Sequence, residues 1–284
     1  RSAVENPGHS HAAIRARRAM TQMDMPQREE SEAMVEQLGT QAEAVAEGAP
    51  PEAPPTAQTV TEETTQASGG RIGFRFSRKI VALSAPNSIQ AESFGSLQTH
   101  LKAKHIGDGR RSLAICAATP GVGISYVAVN LAMSFAMAGL NTMLIDANMR
   151  SPSLEDYIAP DKPPVGLRQC LGDSEVEFGD VIQADVFPNL SLIYSGGIAP
   201  NPQELLASRA MSELLDTCLR DYDVTIVDTP PGNSSADARR IAMAVRYAML
   251  VAKKNDSYVG DVKQLADELT SDRATVIGTF LNDF

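Results

Sequence analysis

The sequence has little positive charge, few cysteines and no long hydrophobic run. Its 35 acidic residues outnumber 25 Lys and Arg, which gives a formal net charge of -10 and a pI near 4.9. This balance argues against a general nucleic-acid binder, because holding phosphate backbones needs a basic surface. No apolar run approaches the roughly 18 residues of a membrane span, and the opening residues lack the apolar centre of a secretory signal. We therefore expect a cytoplasmic protein without a membrane span of its own.

The few cysteines, Cys116, Cys170 and Cys218, show no paired spacing and fall in apolar surroundings. This pattern predicts reduced packing residues rather than a metal or redox site. His9 and His11 lie in a polar segment, so we interpret them as solvated side chains rather than ligands.

Composition divides the chain into two parts. Residues 1–72 are rich in Ala, Glu, Gln, Pro and Thr without sustained apolar periodicity, which is typical of a disordered tail. The basic run IRARRAM at 14–20 could contact anionic lipid or a partner, but a short run of this kind favours a solvated patch. We predict one folded domain over residues 79–284.

Apolar strands alternate with amphipathic helices in that domain. Strands are predicted near 112–118, 141–147, 189–195, 223–229, 247–253 and 274–281, and helices over 125–138, 202–220, 236–245 and 258–269. Gly139 suits the left-handed cap of the first helix. Strands that are apolar throughout are buried on both faces, so the pattern predicts an α/β fold with a doubly wound, mostly parallel sheet. Ligands of such folds bind at the carboxyl ends of the strands.

The stretch ATPGVGISY at 118–126 indicates a phosphate-binding loop between a strand and a helix. In a working loop the backbone amides hold phosphate oxygens, a lysine neutralises the terminal phosphates, and Ser or Thr binds magnesium. Ala118 stands where the generic pattern has its first glycine, and Ile124 stands where it has lysine. The candidate nucleotide-binding residues are Pro120, Gly121, Val122, Gly123, Ile124, Ser125 and Tyr126.

The missing lysine is the more serious defect of this loop. A charge-assisted hydrogen bond contributes about 1.5–3 kcal/mol, so its loss should weaken triphosphate binding roughly ten- to a hundredfold. Phosphoryl transfer should suffer further, because its barrier falls mainly through charge stabilisation. We therefore expect binding of ATP and Mg²⁺ to be weak or absent.

Two acidic residues follow apolar strands: Asp146 in MLIDANMR and Asp228 in VTIVDTPPG. We take Asp146, Asp228 and Arg150 as catalytic candidates, and Ser125 and Asp228 as magnesium ligands. An Asp at a strand end is often only a helix cap. The order of the motifs, a glycine turn followed by two strand-end acids, favours a nucleotide site.

These motifs resemble the bacterial tyrosine autokinases of capsule and exopolysaccharide synthesis, which share a P-loop fold with MinD/ParA-type ATPases. The resemblance runs from about Lys79 to the end and includes APNSIQAESFGSLQTHL, PNPQELLASRAMSELL, DYDVTIVDTPPGNSSADAR and VIGTFLND. It implies a cytoplasmic module that works with a membrane copolymerase governing polysaccharide chain length and export. It also implies ATP-dependent phosphorylation of tyrosines in a C-terminal tail.

The chain departs from the family pattern where activity resides. Beside Ile124, Asn148 replaces the second acid of the Asp-x-Asp motif, and an uncharged amide is a poor partner for magnesium. Gly95 and Gln98 replace the two arginines of the helix that builds the family's ring oligomer. The last tyrosine, Tyr258, begins a predicted core helix, so the tyrosine-rich tail is also absent.

Two functional hypotheses follow. The first is a non-catalytic, kinase-like partner of an exopolysaccharide system that binds a membrane copolymerase or chain-length regulator, with a homo-oligomer as a further option. The second is an active tyrosine autokinase or divergent ATPase in which Arg150, or a residue of a neighbouring subunit, supplies the missing charge. A MinD/ParA-like positioning ATPase is disfavoured, because Thr119 replaces the lysine that marks that group.

Overall fold

A computed structural model describes residues 73–173 and 175–283, with Ser234 described for its backbone alone. The predicted disordered tail, residues 1–72, lies outside the described residues. The described fold begins at Gly73, ahead of the predicted boundary at Lys79, with a short strand that pairs with a later one.

Nine strands are described. They are β1 (Phe74–Phe76), β2 (Ser112–Cys116), β3 (Thr142–Asp146), β4 (Ile158–Pro160), β5 (Ile182–Phe187), β6 (Leu190–Ile193), β7 (Val224–Asp228), β8 (Tyr247–Lys253) and β9 (Thr275–Asn282). Seven form a sheet in the order β5-β6-β3-β7-β2-β8-β9, while β1 and β4 form a separate antiparallel ribbon. All neighbours in the large sheet are parallel except β5 and β6. The predicted mostly parallel sheet is confirmed.

The helices connect these strands. They are α1 (Val81–Ser84), α2 (Ile89–Lys104), α3 (Ile124–Met137), α4 (Leu167–Gly172), α5 (Phe178–Val181), α6 (Pro202–Leu206), α7 (Arg209–Asp221), α8 (Asp237–Val245) and α9 (Val259–Ser271). Short 3-10 turns occur at Ile106–Asp108, Leu154–Asp156 and Gly232–Ser234. Within the described ranges, no helix combines the length and the apolar character needed to cross a membrane.

The central strands are buried on both faces, as their unbroken apolar runs predict. Every residue of β2, β3 and β7 is buried. On β2, Leu113 and Ile115 join the core cluster beneath α3, whereas Ala114 and Cys116 join the cluster beneath α7, α8 and α9. The two clusters are the layers expected when alternate side chains of a strand point to opposite faces. All three cysteines are buried and unpaired, which agrees with their predicted packing role.

Some local features differ from the predictions. The helix predicted over 202–220 is two helices, α6 and α7, separated at Ser208. The Ser208 hydroxyl accepts a hydrogen bond from the Met211 amide (3.2 Å), so this serine starts a new helix. The antiparallel edge strand β5 was not predicted; it reaches β6 through a tight turn at Asn189, whose φ of 64° is left-handed. A run as short as IQADVF carries no sequence signal for strand direction.

Gly139 and Gly95 provide a paired test of backbone strain. Gly139 has φ 79° after α3, and Gly95 lies inside α2; an added Cβ would meet nothing within 4 Å at either position. We expect Gly139→Ala to lower the free energy of unfolding by about 1–2 kcal/mol, because only the left-handed conformation is penalised. Gly95→Ala should raise it by about 0.5–1 kcal/mol, because alanine loses less entropy in a helix. Urea denaturation of both variants measures the two signs, and equal signs would contradict the assignment.

Candidate functional site

The glycine turn between β2 and α3 keeps the backbone shape of a phosphate-binding loop. Gly121 (φ 80°) and Gly123 (φ 94°) are both left-handed. A Cβ at Gly123 would lie 2.5 Å from Nδ2 of Asn282. That same amide donates to the Val122 carbonyl at 2.8 Å, so the end of β9 holds the loop in place. Position 123 therefore requires glycine both for its φ angle and for space.

Helix α3 starts directly from this turn. Gly123 caps it without a side-chain hydrogen bond, and its first turn contains no acidic residue. The amides at the start of an α-helix have no partner within the helix and carry partial positive charge, which favours an anion. The backbone arrangement that binds phosphate, a glycine turn followed by the first amides of α3, is therefore present.

A cleft of about 360 Å³ lies over the loop. It is lined by Pro120, Gly121, Gly123, Ile124, Ser125, Tyr126, Asn148, Ser151, Ser153, Tyr157, Thr229 and Pro231. The structure thus brings six of the seven loop candidates to one cleft. The seventh, Val122, is buried in the core beneath it.

Ile124 occupies the position of the expected lysine and is only 7% exposed. It touches the cleft but also belongs to the core cluster beneath α3. No lysine or arginine lines this cleft among the described residues. The loop therefore offers amides to a phosphate but no side-chain charge of its own.

Asp146 and Asp228 are direct neighbours across the parallel pair β3 and β7. Asp146 accepts hydrogen bonds from the amides of Asn148 (3.0 Å), Ser153 (3.3 Å) and Leu154 (3.4 Å). Asp228 is fully buried, and neither of its carboxylate oxygens has a hydrogen bond of good geometry. The two acids therefore differ: one is held by backbone donors, whereas the other has open acceptor positions.

Burial dominates the acidity of this pair. It raises the pKa of Asp146 to about 7, although the three backbone hydrogen bonds pull in the opposite direction. Burial and then repulsion from Asp146 raise the pKa of Asp228 well above its usual value. The neighbouring Ser125 hydroxyl and Thr229 amide favour ionised Asp228 without offsetting these effects. A cation beside the pair would remove most of this penalty.

The oxygens around Ser125 fit the chemistry of magnesium. The Ser153 hydroxyl donates to the Ser125 hydroxyl at 2.8 Å, which places Ser125 between the loop and the segment after β3. Mg²⁺ usually takes one or two protein oxygens and completes its shell with water and substrate phosphates. Ser125 and the open oxygens of Asp228 match that donor set. The described part of the chain contains no group of three or more His, Cys, Asp or Glu side chains that could hold a metal by themselves.

Arg150 does not line this cleft. Its Nε is 2.6 Å from the Oδ2 of Asp237, whose side chain is buried. Arg150 lines a separate cleft, together with Asn201, Glu204 and Arg240. The structure therefore brings Asp146, Asp228 and Ser125 together, and places Arg150 in an ion pair with the start of α8.

Among the contributors to the cleft that sequence reasoning missed are Tyr157, Ser153 and Asn282. Tyr157 follows a 3-10 turn and lines the cleft, and burial raises the pKa of its phenol to about 12, so it stays protonated. Ser153 contacts Ser125, and Asn282 holds the loop. The only advance signal was the resemblance of VIGTFLND to a family segment, because isolated Tyr, Ser and Asn residues have no characteristic spacing.

Known proteins similar to this chain share its P-loop region. The AAA_31 family model, described as an AAA domain, matches residues 110–271. The chain is 31% identical over 211 residues to the tyrosine-protein kinase YwqD of Bacillus subtilis, covering 74% of this chain and 88% of YwqD. It is 32% identical over 203 residues to the putative tyrosine-protein kinase EpsB of Ralstonia nicotianae. The match covers 72% of this chain but spans only 27% of the length of EpsB.

Solved structures show the same relationship. The kinase domain of the Escherichia coli tyrosine kinase ETK superposes with a TM-score of 0.66 at 28% identity, covering 72% of this chain and 79% of that domain. The septum site-determining protein MinD of Pyrococcus horikoshii, solved with Mg-ADP, gives a TM-score of 0.52 at 20% identity, over 61% of this chain and 70% of MinD. The likeness to MinD concerns the fold alone, and it confirms the predicted P-loop, MinD/ParA-type architecture.

The raised pKa values of the acid pair predict a pH-dependent effect of Asp228→Asn on stability. Because folding raises the pKa of these acids, the folded state is most stable when they are protonated, at low pH. This contribution to the free energy of unfolding is lost as the pH rises through the folded-state pKa. Removing one charge should therefore raise the melting temperature by several degrees at pH 8 and by less at pH 5. Thermal melts at both pH values, with the exposed Asp216→Asn as a control, measure this difference. An equal effect at both pH values would contradict the proposed repulsion.

Ile124→Lys tests whether the loop still has its binding shape. Because Ile124 reaches both core and cleft, a lysine stem can keep part of the packing while its ammonium enters the cleft. We expect about tenfold tighter MgATP binding, the effect of one charge-assisted contact, together with a melting temperature lower by a few degrees. Ile124→Met is the matched control, since it perturbs the packing without adding charge. Equal MgATP affinity of the two variants, measured by isothermal titration calorimetry, would show that the loop serves only as scaffold.

Proposed function

The chain belongs to the bacterial tyrosine-protein kinase family, and on that premise we propose that it is a kinase-like component of exopolysaccharide or capsule biosynthesis and export. It binds a magnesium nucleotide weakly and does not transfer phosphate. Its role is to engage a membrane polysaccharide copolymerase or chain-length regulator at the cytoplasmic face of the membrane.

The observation that carries this proposal is a buried isoleucine at the lysine position of a loop that keeps its left-handed glycines. Amides from Gly121 to Ser125 would hold the phosphates, and Ser125 and Asp228 would hold Mg²⁺ directly or through water. The metal would neutralise phosphate charge when bound. Ile124 supplies no positive charge near the terminal phosphate, although phosphoryl transfer depends on such a charge. Binding therefore depends on backbone donors, and the chemical step lacks its main electrostatic support.

Asn148 supports the same interpretation. Its side-chain oxygen accepts a hydrogen bond from the Ser151 amide at 3.2 Å, so it shapes the turn after β3. An amide at this place contributes no negative charge to orient a cation or accept a proton. Position 148 therefore helps to build the cleft wall and supplies no acid or base.

The link to a membrane partner rests on the family resemblance. If the nucleotide state governs this contact, the cytoplasmic segments of the copolymerase should bind different amounts of this chain with MgATP and without nucleotide. A pull-down with the purified proteins tests the contact, with Gly123→Ala as the variant that disrupts the loop.

An active tyrosine autokinase or divergent ATPase is the second candidate. It is favoured by the convergence of Ser125, Asp146 and Asp228 at one end of the sheet, and by relatives named as tyrosine-protein kinases. In that case a cation from outside the loop must supply the missing charge during transfer.

We expect purified protein incubated with ATP and Mg²⁺ to show no more phosphotyrosine or ATP turnover than its Asp228→Ala variant, because the loop lacks lysine and Asn148 lacks charge. Phosphotyrosine immunoblotting and phosphate release measure the two activities. The double variant Ile124→Lys/Asn148→Asp should raise ATP turnover at least about tenfold if these two losses explain the inactivity. A wild-type signal that disappears in Asp228→Ala would instead establish the autokinase.

A further inference from the structure

Lys79 precedes α1 and is tied to the P-loop helix through Asn130, a fully buried residue of α3. The Asn130 side chain accepts a hydrogen bond from the Val81 amide at 2.8 Å. It donates to the carbonyls of Lys79 (3.1 Å) and Tyr126 (2.9 Å). Because Tyr126 lines the cleft, one buried side chain fixes the backbone at Lys79 to the helix that starts at the loop.

A second contact joins the same segment to the opposite wall of the cleft. The Ser77 amide donates to the Tyr157 carbonyl at 2.8 Å. The Lys79 ammonium lies over the Tyr157 ring, 5.6 Å from its centroid. Tyr157 lines the cleft, and after burial the negative charges of Asp228 and Asp156 also raise the pKa of its phenol. The backbone of Lys79 is therefore fixed beside the Tyr157 wall of the cleft, and its side chain is exposed to solvent.

The position of Lys79 matters because the cleft has acids beside it and no cation in the described part of its lining. Asp146 and Asp228 are buried next to the cleft residues Asn148 and Thr229, and no lysine or arginine lines the cleft among the described residues. Arg150 is paired with Asp237 in the neighbouring cleft. A bound phosphate thus has no cationic side chain in the loop, whereas the Lys79 ammonium contacts the cleft residue Tyr157.

We propose that Lys79 supplies the positive charge that the loop lacks at position 124, by reaching the phosphates of a nucleoside diphosphate or triphosphate from the Tyr157 side of the cleft. A cation over an aromatic ring is held more weakly than one hydrogen-bonded to phosphate. The lysine side chain has a flexible four-carbon stem, so the ammonium can leave the Tyr157 ring when an anion enters the cleft. This inference rests on the proposed function, since it requires a nucleotide in the cleft.

The test is isothermal titration calorimetry of the full chain with MgADP and MgATP. Lys79→Met and Lys79→Gln should bind about tenfold more weakly than wild type, whereas Lys79→Arg should stay within about threefold. Lys102→Met, which removes an exposed lysine near the end of α2, should bind as wild type does. The affinity of Lys79→Met should also depend less on salt, because one charge contact is lost.

Adding Ile124→Lys to Lys79→Met should restore the affinity, because the charge returns from the other wall of the cleft. Melting temperatures identify any variant that fails to fold, and Lys79→Gln and Lys79→Arg then replace Lys79→Met in the comparison. Wild-type affinity in both neutral variants would overturn the role of Lys79 and leave the proposed function standing. Absence of wild-type binding at millimolar nucleotide would overturn the proposed nucleotide binding and this inference together.

Discussion

The parallel pairing of β3 with β7 is the constraint on which the site depends. It sets Asp146 beside Asp228 in a fully buried layer, where each ionised carboxylate disfavours the other. Such a pair opposes folding at neutral pH unless a cation or a proton shares the site. The backbone donors around Asp146 offset part of the penalty, whereas Asp228 keeps open oxygens. The arrangement is costly for a purely structural protein, and it suits a site that holds a magnesium nucleotide.

The rest of the site serves this buried pair. The glycine turn leads directly into α3, whose first amides have no side-chain cap, and Asn282 at the end of β9 holds the turn. Thr229 follows Asp228 and donates to the Ile115 carbonyl at 2.8 Å, which ties the end of β7 to β2. Three neighbouring strand ends thus fix the loop and both acids within one rigid edge of the sheet. A substitution at position 124 can then change the charge of the site without changing its frame.

The loop keeps the backbone shape of a phosphate site but lacks the lysine charge. These two properties affect nucleotide binding and phosphoryl transfer differently. Backbone amides contribute to the affinity for phosphate whatever the side chain at position 124. Phosphoryl transfer requires stabilisation of charge that develops in the transition state, and one missing cation there lowers the rate by orders of magnitude. The Lys79 ammonium lies over the Tyr157 ring at the cleft wall, and its proposed role is to add to ground-state affinity. An exposed lysine on a surface segment is poorly preorganised for catalysis, because positioning must be built into the fold before the reaction.

The sequence alone determined the parallel sheet, the loop and the two acids. Apolar runs such as SLAICAA leave no polar face, and the spacing of the glycines, Asp146 and Asp228 follows directly from strand–turn–helix units. Local chain chemistry controls each of these features. Only the tertiary structure decided three contacts: the ion pair of Arg150 with Asp237, the hydrogen bond from Asn130 to the Lys79 carbonyl, and the position of Tyr157 under the Lys79 ammonium. These contacts join residues 51 to 87 positions apart, and such separations carry no periodic signal because they depend on how whole elements pack.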